Sequence, residues 1–297
     1  MRTLSVAFTL VSIVIFISSC QKEISWETSG RLNSDSTFLS KIIYLDTTLP
    51  AGQDTLYVIV YEYDAQDRLI KITEYLNDNG VIDSYYTNFR YAGNDTLPLI
   101  MKSTGTFYDS SINYYRYSNG LIAFDSLVNY DGINNSVSTE KVISVMPIGS
   151  DRFLYKEVHP PHIIPGFPAG SGSVDSTIFS RTVANGNLVD GIDSLWSDGI
   201  YVDKKVIHYD FDQKKSPFKK VSFWYNGHYS EASLGIAWGV GNNPLFVSET
   251  WGHIGQFTTS INYDYNADEY PVIARLQMTG PLSLPDYNKL AFVYVKL

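Results

Sequence analysis

The chain has 297 residues, with 22 Lys and Arg against 31 Asp and Glu, a formal net charge of −9. Such a surface repels phosphate backbones, and no basic run exists beyond Lys214-Lys215 with Lys219-Lys220, which excludes nucleic acid as a partner. Charged residues at 18%, aromatics at 14% and 23 tyrosines mark a globular chain rather than a disordered one, long enough for one large β domain or two smaller ones.

Arg2 precedes an apolar run from Leu4 to Ile17, which ends in Ser18-Ser19-Cys20. That run is too short to span a bilayer comfortably and reads as a signal peptide over residues 1–19. Cys20 is the only cysteine in the chain. Acylated, it leaves no thiol for disulfides, nucleophilic catalysis or metal binding. Residues 20–37 mix Ser, Thr, Asn, Asp and Glu with few apolar positions, as a flexible tether does, and a single β domain is expected over 38–297.

Within that domain the dominant pattern is two-residue alternation broken by polar turns. Tyr57, Ile59, Tyr61 and Tyr63 fall on one side of a strand, Asp64 to Arg68 make a turn, and Leu69 to Ile72 begin the return. The pattern recurs at Tyr209–Phe218 and at Tyr263–Ile273, with Pro217 and Pro271 in register. Anchoring on the residue before each turn gives Tyr63, Tyr91, Tyr117, Phe211 and Tyr265, consistent with a loose repeat of about 27 residues. Asn79-Gly80, Asn119-Gly120, Asp131-Gly132 and Asn185-Gly186 supply further hairpin turns. The expected fold is all-β, with hairpin turns near Asp64–Arg68, Asn119–Gly120, Asp212–Ser216 and Asn266–Tyr270. Its antiparallel strands form one large curved sheet that can curl into a soluble, barrel-like shape. Strands of about six to eight residues are shorter than a transmembrane barrel requires. The proline-rich stretch from His159 to Ser173 is a loop or an edge cover.

Two resemblances follow from these residues. Ile17-Ser18-Ser19-Cys20 resembles the lipobox of bacterial lipoproteins, and Gln21-Lys22-Glu23 after it resembles outer-membrane sorting and surface-export signals of Bacteroidetes-type lipoproteins. The segments Phe211–Phe218, Asn242–Pro244 and Ile261–Val272 resemble Bacteroidetes-type outer-membrane lipoproteins with tyrosine-aspartate hairpin repeats. The resemblance implies an extended antiparallel sheet, attachment to the outer membrane through lipid on Cys20 and display in the cell envelope. It implies no particular activity. Tyr270 stands where that family's motif has glycine, and Ser216 where it has asparagine.

Candidate chemistry is sparse. His159 and His162 have an i, i+3 spacing but flank two prolines with no acidic cluster nearby, and a zinc site needs three or four converging ligands. Asn77 to Ile82 is similar to the middle of a calcium loop, yet Tyr75 and Tyr86 occupy the positions of its end ligands. No Gly-x-Ser-x-Gly or His-Glu-x-x-His occurs. No cofactor is expected. Trp224, Tyr225, Tyr229, Trp238 and Trp251 cluster among glycines, and exposed rings there would form a platform for a glycan or an envelope protein. The leading expectation is therefore a non-enzymatic, lipid-anchored binding protein. The alternatives are an exported glycan hydrolase with paired carboxylates, or a structural subunit of an envelope assembly.

Overall fold

The computed structural model describes residues 36–78, 81–104, 110–118, 121–131, 136–147, 152–158, 176–184, 187–197, 200–218, 241–252, 255–280 and 288–297. Sixteen strands lie among them. They are β1 (Thr37–Leu45), β2 (Thr55–Tyr63), β3 (Leu69–Asp78), β4 (Val81–Tyr91), β5 (Pro98–Thr104), β6 (Ser110–Ser118), β7 (Leu121–Asp131) and β8 (Ser136–Pro147), followed by β9 (Arg152–Val158), β10 (Ser176–Ala184), β11 (Asn187–Ser197), β12 (Ile200–Phe211), β13 (Pro244–Trp251), β14 (Gly255–Tyr265), β15 (Pro271–Thr279) and β16 (Lys289–Lys296). Every strand pairs antiparallel with its sequence neighbours, and β16 pairs back onto β1, which closes the sheet into a barrel. The β15–β16 ladder is the shortest, with three Cα partners from Ile273 to Arg275, and the Leu276 N–H extends it by donating to the Asn288 carbonyl at 2.8 Å.

A closed single sheet buries only what faces inward, and the pleat makes that every second residue. Around the barrel the inward set includes Ile42 and Tyr44, Ile59, Ile72, Phe89, Met101, Tyr115, Ile207 and Tyr209, Val247, Ile261, Ala274, Leu290 and Phe292, all members of one apolar cluster or packed against it. The register carries this face from strand to strand, for example Ile72↔Thr87, Phe89↔Met101↔Asn113 and Phe292↔Ile42↔Ile59.

At the barrel end where β2 hands over to β3 and β14 to β15, tyrosines fasten neighbouring strands. Tyr63 Oη donates to the Leu39 carbonyl at 2.8 Å, Tyr91 to Leu69 at 2.6 Å and Tyr117 to Pro98 at 2.6 Å. Tyr263 donates to Pro244 at 3.0 Å, and Tyr294 to Pro271 at 2.6 Å. Three of the acceptors are prolines at the first position of a strand, where a missing N–H disturbs no ladder.

Two turns at this end are built alike. The Asp64 N–H donates to the Arg68 carbonyl at 2.9 Å and Asp64 Oδ1 accepts from the N–H groups of Gln66 and Arg68 at 2.8 and 3.0 Å. The Asn266 N–H donates to the Tyr270 carbonyl at 2.9 Å, while Asn266 Oδ1 accepts from the N–H groups of Asp268 and Tyr270, each at 3.0 Å. The matching fourth positions, Asp67 and Glu269, carry φ of 61° and 67°. Both hairpins are as the sequence predicts. The Asp212–Ser216 hairpin is not: the Asp212 N–H donates to the Asn243 carbonyl at 3.0 Å, so residues 212–243 form an excursion between β12 and β13. Its first part returns Phe218 to the apolar cluster, 2% exposed. The physical reason is that Asn243 takes the place beside Asp212 that a local turn would fill, donating from its N–H to Asp212 Oδ1 and from Nδ2 to Asp212 Oδ2, both at 3.0 Å. The Asn119–Gly120 turn lies outside the described residues, although Ser118 and Leu121 on either side of it are paired.

The strands run from seven to twelve residues, longer than the sequence pattern suggests, because polar Ser, Thr and Asn positions extend the ladders past the apolar alternation. Strand length therefore does not separate a soluble barrel from a transmembrane one. The outward face is mixed. Along β14 the outward residues are Gln256, Thr258, Ser260, Asn262 and Asp264, and Arg275 on β15 pairs with Asp264 at 2.6 Å. His208 on β12 pairs outward with Asp190 at 2.7 Å. On the same outward parity stand Ile43 on β1, Val58 on β2, Ile192 on β11 and Ala291 on β16.

Replacing Asp64 with alanine removes the side-chain oxygen that accepts from two backbone N–H groups, together with the Arg68 ion pair at 2.7 Å, and is expected to lower stability by about 2 kcal/mol in urea denaturation. The neutral Asn266→Ala variant should lose less.

Candidate ligand site in the open half of the barrel

The inward face is not equally filled along the barrel. On β3, Leu69 and Ile72 are buried, Glu74 is half-buried and Leu76 is 39% exposed. On β12, which runs the other way, Tyr201 is 49% exposed, Lys205 is half-buried, and Ile207 and Tyr209 are buried. Burial thus falls from the tyrosine end toward the opposite end. The tyrosine end is further stitched by Asn187, whose Oδ1 accepts from the N–H groups of Gly241 and Asn242 at 3.0 and 2.9 Å, and by Tyr265, whose hydroxyl donates to Asp212.

In the open half, charged side chains occupy inward positions. Asp193, Lys205 and Trp251 stand side by side on β11, β12 and β13 through the register Asp193↔Lys205↔Trp251. Lys205 Nζ lies 3.3 Å from Asp193 Oδ2, 4.0 Å from Glu249 Oε2 and 5.2 Å from the centre of the Trp251 ring. The lysine is held by two carboxylates and an aromatic face. Gly252 follows Trp251 at the rim; a Cβ there would meet Asp203 Oδ1 at 2.3 Å, so a larger residue would push the Asp203 side chain aside.

Across the wall a second inward carboxylate, Glu74, accepts a short hydrogen bond from the Tyr57 hydroxyl. Burial raises the pKa of Glu74, and the Tyr57 hydroxyl offsets part of that rise. Burial and the nearby carboxylate push the Tyr57 hydroxyl up in turn, keeping it a donor. Tyr44 packs against Tyr57 with ring centres 5.2 Å apart. The arrangement can present aromatic faces together with fixed donors and acceptors, which suits a polyhydroxylated or amphipathic ligand.

Of the five rings expected to form a platform, Trp251 is placed here, half-buried and facing inward. Trp224, Tyr225, Tyr229 and Trp238 lie outside the described residues, as do Cys20, His159 and His162. His208 faces outward between Asp190 and Asp210, at 2.7 and 3.4 Å. Among the described residues no three His, Cys, Asp or Glu side chains converge as metal ligands do. Sequence reasoning missed Asp193, Lys205, Glu249 and Glu74. Their signal was parity: Lys205 shares the strand face of Ile207 and Tyr209, and Glu74 that of Ile72, so each puts a charge where the alternation calls for an apolar residue.

No family model matches the chain, and no curated protein matches it. Among solved structures it is similar to a porin-like protein from Bacteroides vulgatus, at 14% identity over 88% of this chain and 100% of the other, with a TM-score of 0.52. A porin-like protein from Bacteroides uniformis shows 9% identity over 88% of this chain and 97% of the other, with a TM-score of 0.48. The first likeness establishes the shared antiparallel β fold.

Lys205→Met leaves Asp193 facing Glu249 with no cation between them, and about 3–5 kcal/mol of stability should be lost, read from urea midpoints. Glu74 gives a pH signature of known sign. Its folded pKa lies above the ordinary 4.5, so its contribution to stability is fully present below pH 4.5 and is lost as pH rises through the folded value. Glu74→Gln, which cannot ionise, should gain stability relative to the parent over that rise; parallel denaturation curves from pH 4 to pH 8, about the range needed, would show no such divergence if Glu74 were freely solvated.

Proposed function

We propose that this chain is an outer-membrane lipoprotein, anchored through acylated Cys20, whose barrel binds a glycan or an envelope protein without transforming it. The observation that carries the reading is the open half of the barrel, where Trp251 and Lys205 sit beside Asp193 and Glu249 on an otherwise apolar inward face. A ring beside a fixed charge group gives a sugar both a stacking surface and hydrogen-bond partners.

Binding is favoured over hydrolysis by the position of Lys205. Two carboxylates that cleave a glycosidic bond need the space between them for a sugar and a water, about 5–9 Å of separation. Here the ammonium group fills that space, bonded to both. The anchor reading is supported by Ser18-Ser19-Cys20 at the end of the apolar run from Leu4 to Ile17.

Fractionation of cells making Cys20→Ala should find the protein uncleaved or released from membranes; mature protein still membrane-bound without Cys20 would overturn the anchor. On a glycan array, Trp251→Ala should lower the strongest signals about tenfold while its circular dichroism spectrum stays that of the parent.

A further inference from the structure

We propose that the outward face of β3 to β6 is a second binding surface, specific for an acidic polysaccharide. It rests on the envelope location argued above for its biological partner, but on none of the residues of the open half of the barrel.

The alternation that turns Phe89, Met101 and Tyr115 inward turns Arg90, Lys102 and Arg116 outward, and all three are exposed. Lys71 joins them from β3. These four strands therefore carry four outward cations, and no outward position described on them is a carboxylate. In a chain of net charge −9 this is a local inversion of sign. On β14 and β15, by contrast, the outward Arg275 is paired with Asp264. Lys71 has one partner, Glu62 of β2 at 3.1 Å, and Arg90 and Lys102 have no ion-pair partner among the described residues.

The cations are interleaved with rings. Arg90, Ile100 and Tyr114 form one cross-strand row; Lys71, Asn88 and Lys102 form the next; Thr73, Tyr86 and Thr104 form the third. Residues two strands apart in a row are about 10 Å apart and successive rows about 7 Å apart. Tyr86 and Tyr114 are 38% and 40% exposed, high for aromatic residues on a sheet. Lys71 Nζ sits 5.1 Å from the Tyr86 ring centre. A polymer that matches this spacing repeats an apolar ring face together with an acid, as a uronate-rich glycan does: its sugar faces stack on the tyrosines and its carboxylates pair with Arg90 and Lys102. The acidic remainder of the surface repels such a polymer and directs it to this wall.

The test is calorimetric titration of the purified full chain, in detergent, with polygalacturonate, its fully methyl-esterified form and an oligothymidylate. Polygalacturonate should bind, the esterified polymer should bind at least about tenfold more weakly, and affinity should fall as salt rises. The pairs Arg90→Ala with Lys102→Ala, and Tyr86→Ala with Tyr114→Ala, should each lose about tenfold or more, while Trp251→Ala should leave the affinity unchanged. Absence of polygalacturonate binding, equal affinity for the ester, or affinity untouched by either pair would overturn the proposal. So would an oligothymidylate bound as tightly, which would mark a general polyanion surface. Should Cys20→Ala leave localisation unaltered while polygalacturonate still binds, the envelope anchor alone falls.

Discussion

The structure depends on the constraint that a sheet closed on itself has one inside and no second layer. The buried apolar cluster must then keep one parity from strand to strand, because a one-residue slip would turn a strand's contribution outward. Register shifts between Leu39 and Lys41, between Glu62 and Tyr63 and between Asp264 and Tyr265 adjust that parity next to the turns. Among the inward charges, Lys205 between Asp193 and Glu249 and Glu74 under Tyr57 are tied by ion pairs or hydrogen bonds.

Tyrosine suits such a wall because it supplies a large apolar ring and one polar handle. In the tyrosine end the ring fills the barrel while the hydroxyl reaches a backbone carbonyl of a neighbouring strand. The prolines at 98, 244 and 271 therefore mark strand starts and supply acceptors at the same time. Packing at this end leaves the opposite end as the only part of the described inward face where ring edges and charged groups meet solvent, and so fixes where the inward site lies.

Much of the architecture was legible in the chain. Tyr57, Ile59, Tyr61 and Tyr63 announced the first inward face, and the likeness of Asp64–Arg68 to Asn266–Tyr270 announced two turns with matching hydrogen bonds and matching positive φ. The Asp212 turn misled because an Asx-type acceptor serves a distant backbone N–H as readily as a local one; Asn243, 31 residues on, supplied it. The two surfaces were less visible for opposite reasons. Asp193, Lys205 and Glu249 are spread over 56 residues and meet only through pairing of β11, β12 and β13. Lys71, Arg90, Lys102 and Arg116 form no basic run, since strand spacing of about 4.8 Å gathers residues that the sequence separates by a dozen or more.

The seam between β1 and β16 joins the beginning of the barrel to its end: Ser40 Oγ donates to the Val293 carbonyl, 253 positions away. Contacts so distant in sequence are slow to form, because the intervening chain must be ordered first. Until β16 has emerged, the growing sheet has two open edges and an apolar face with no opposite wall, a state prone to pairing with its own copies. A chain with this topology can complete its fold only once β16 has been made, which makes it a natural client of holding chaperones until then and leaves little room for productive truncation of β1 or β16.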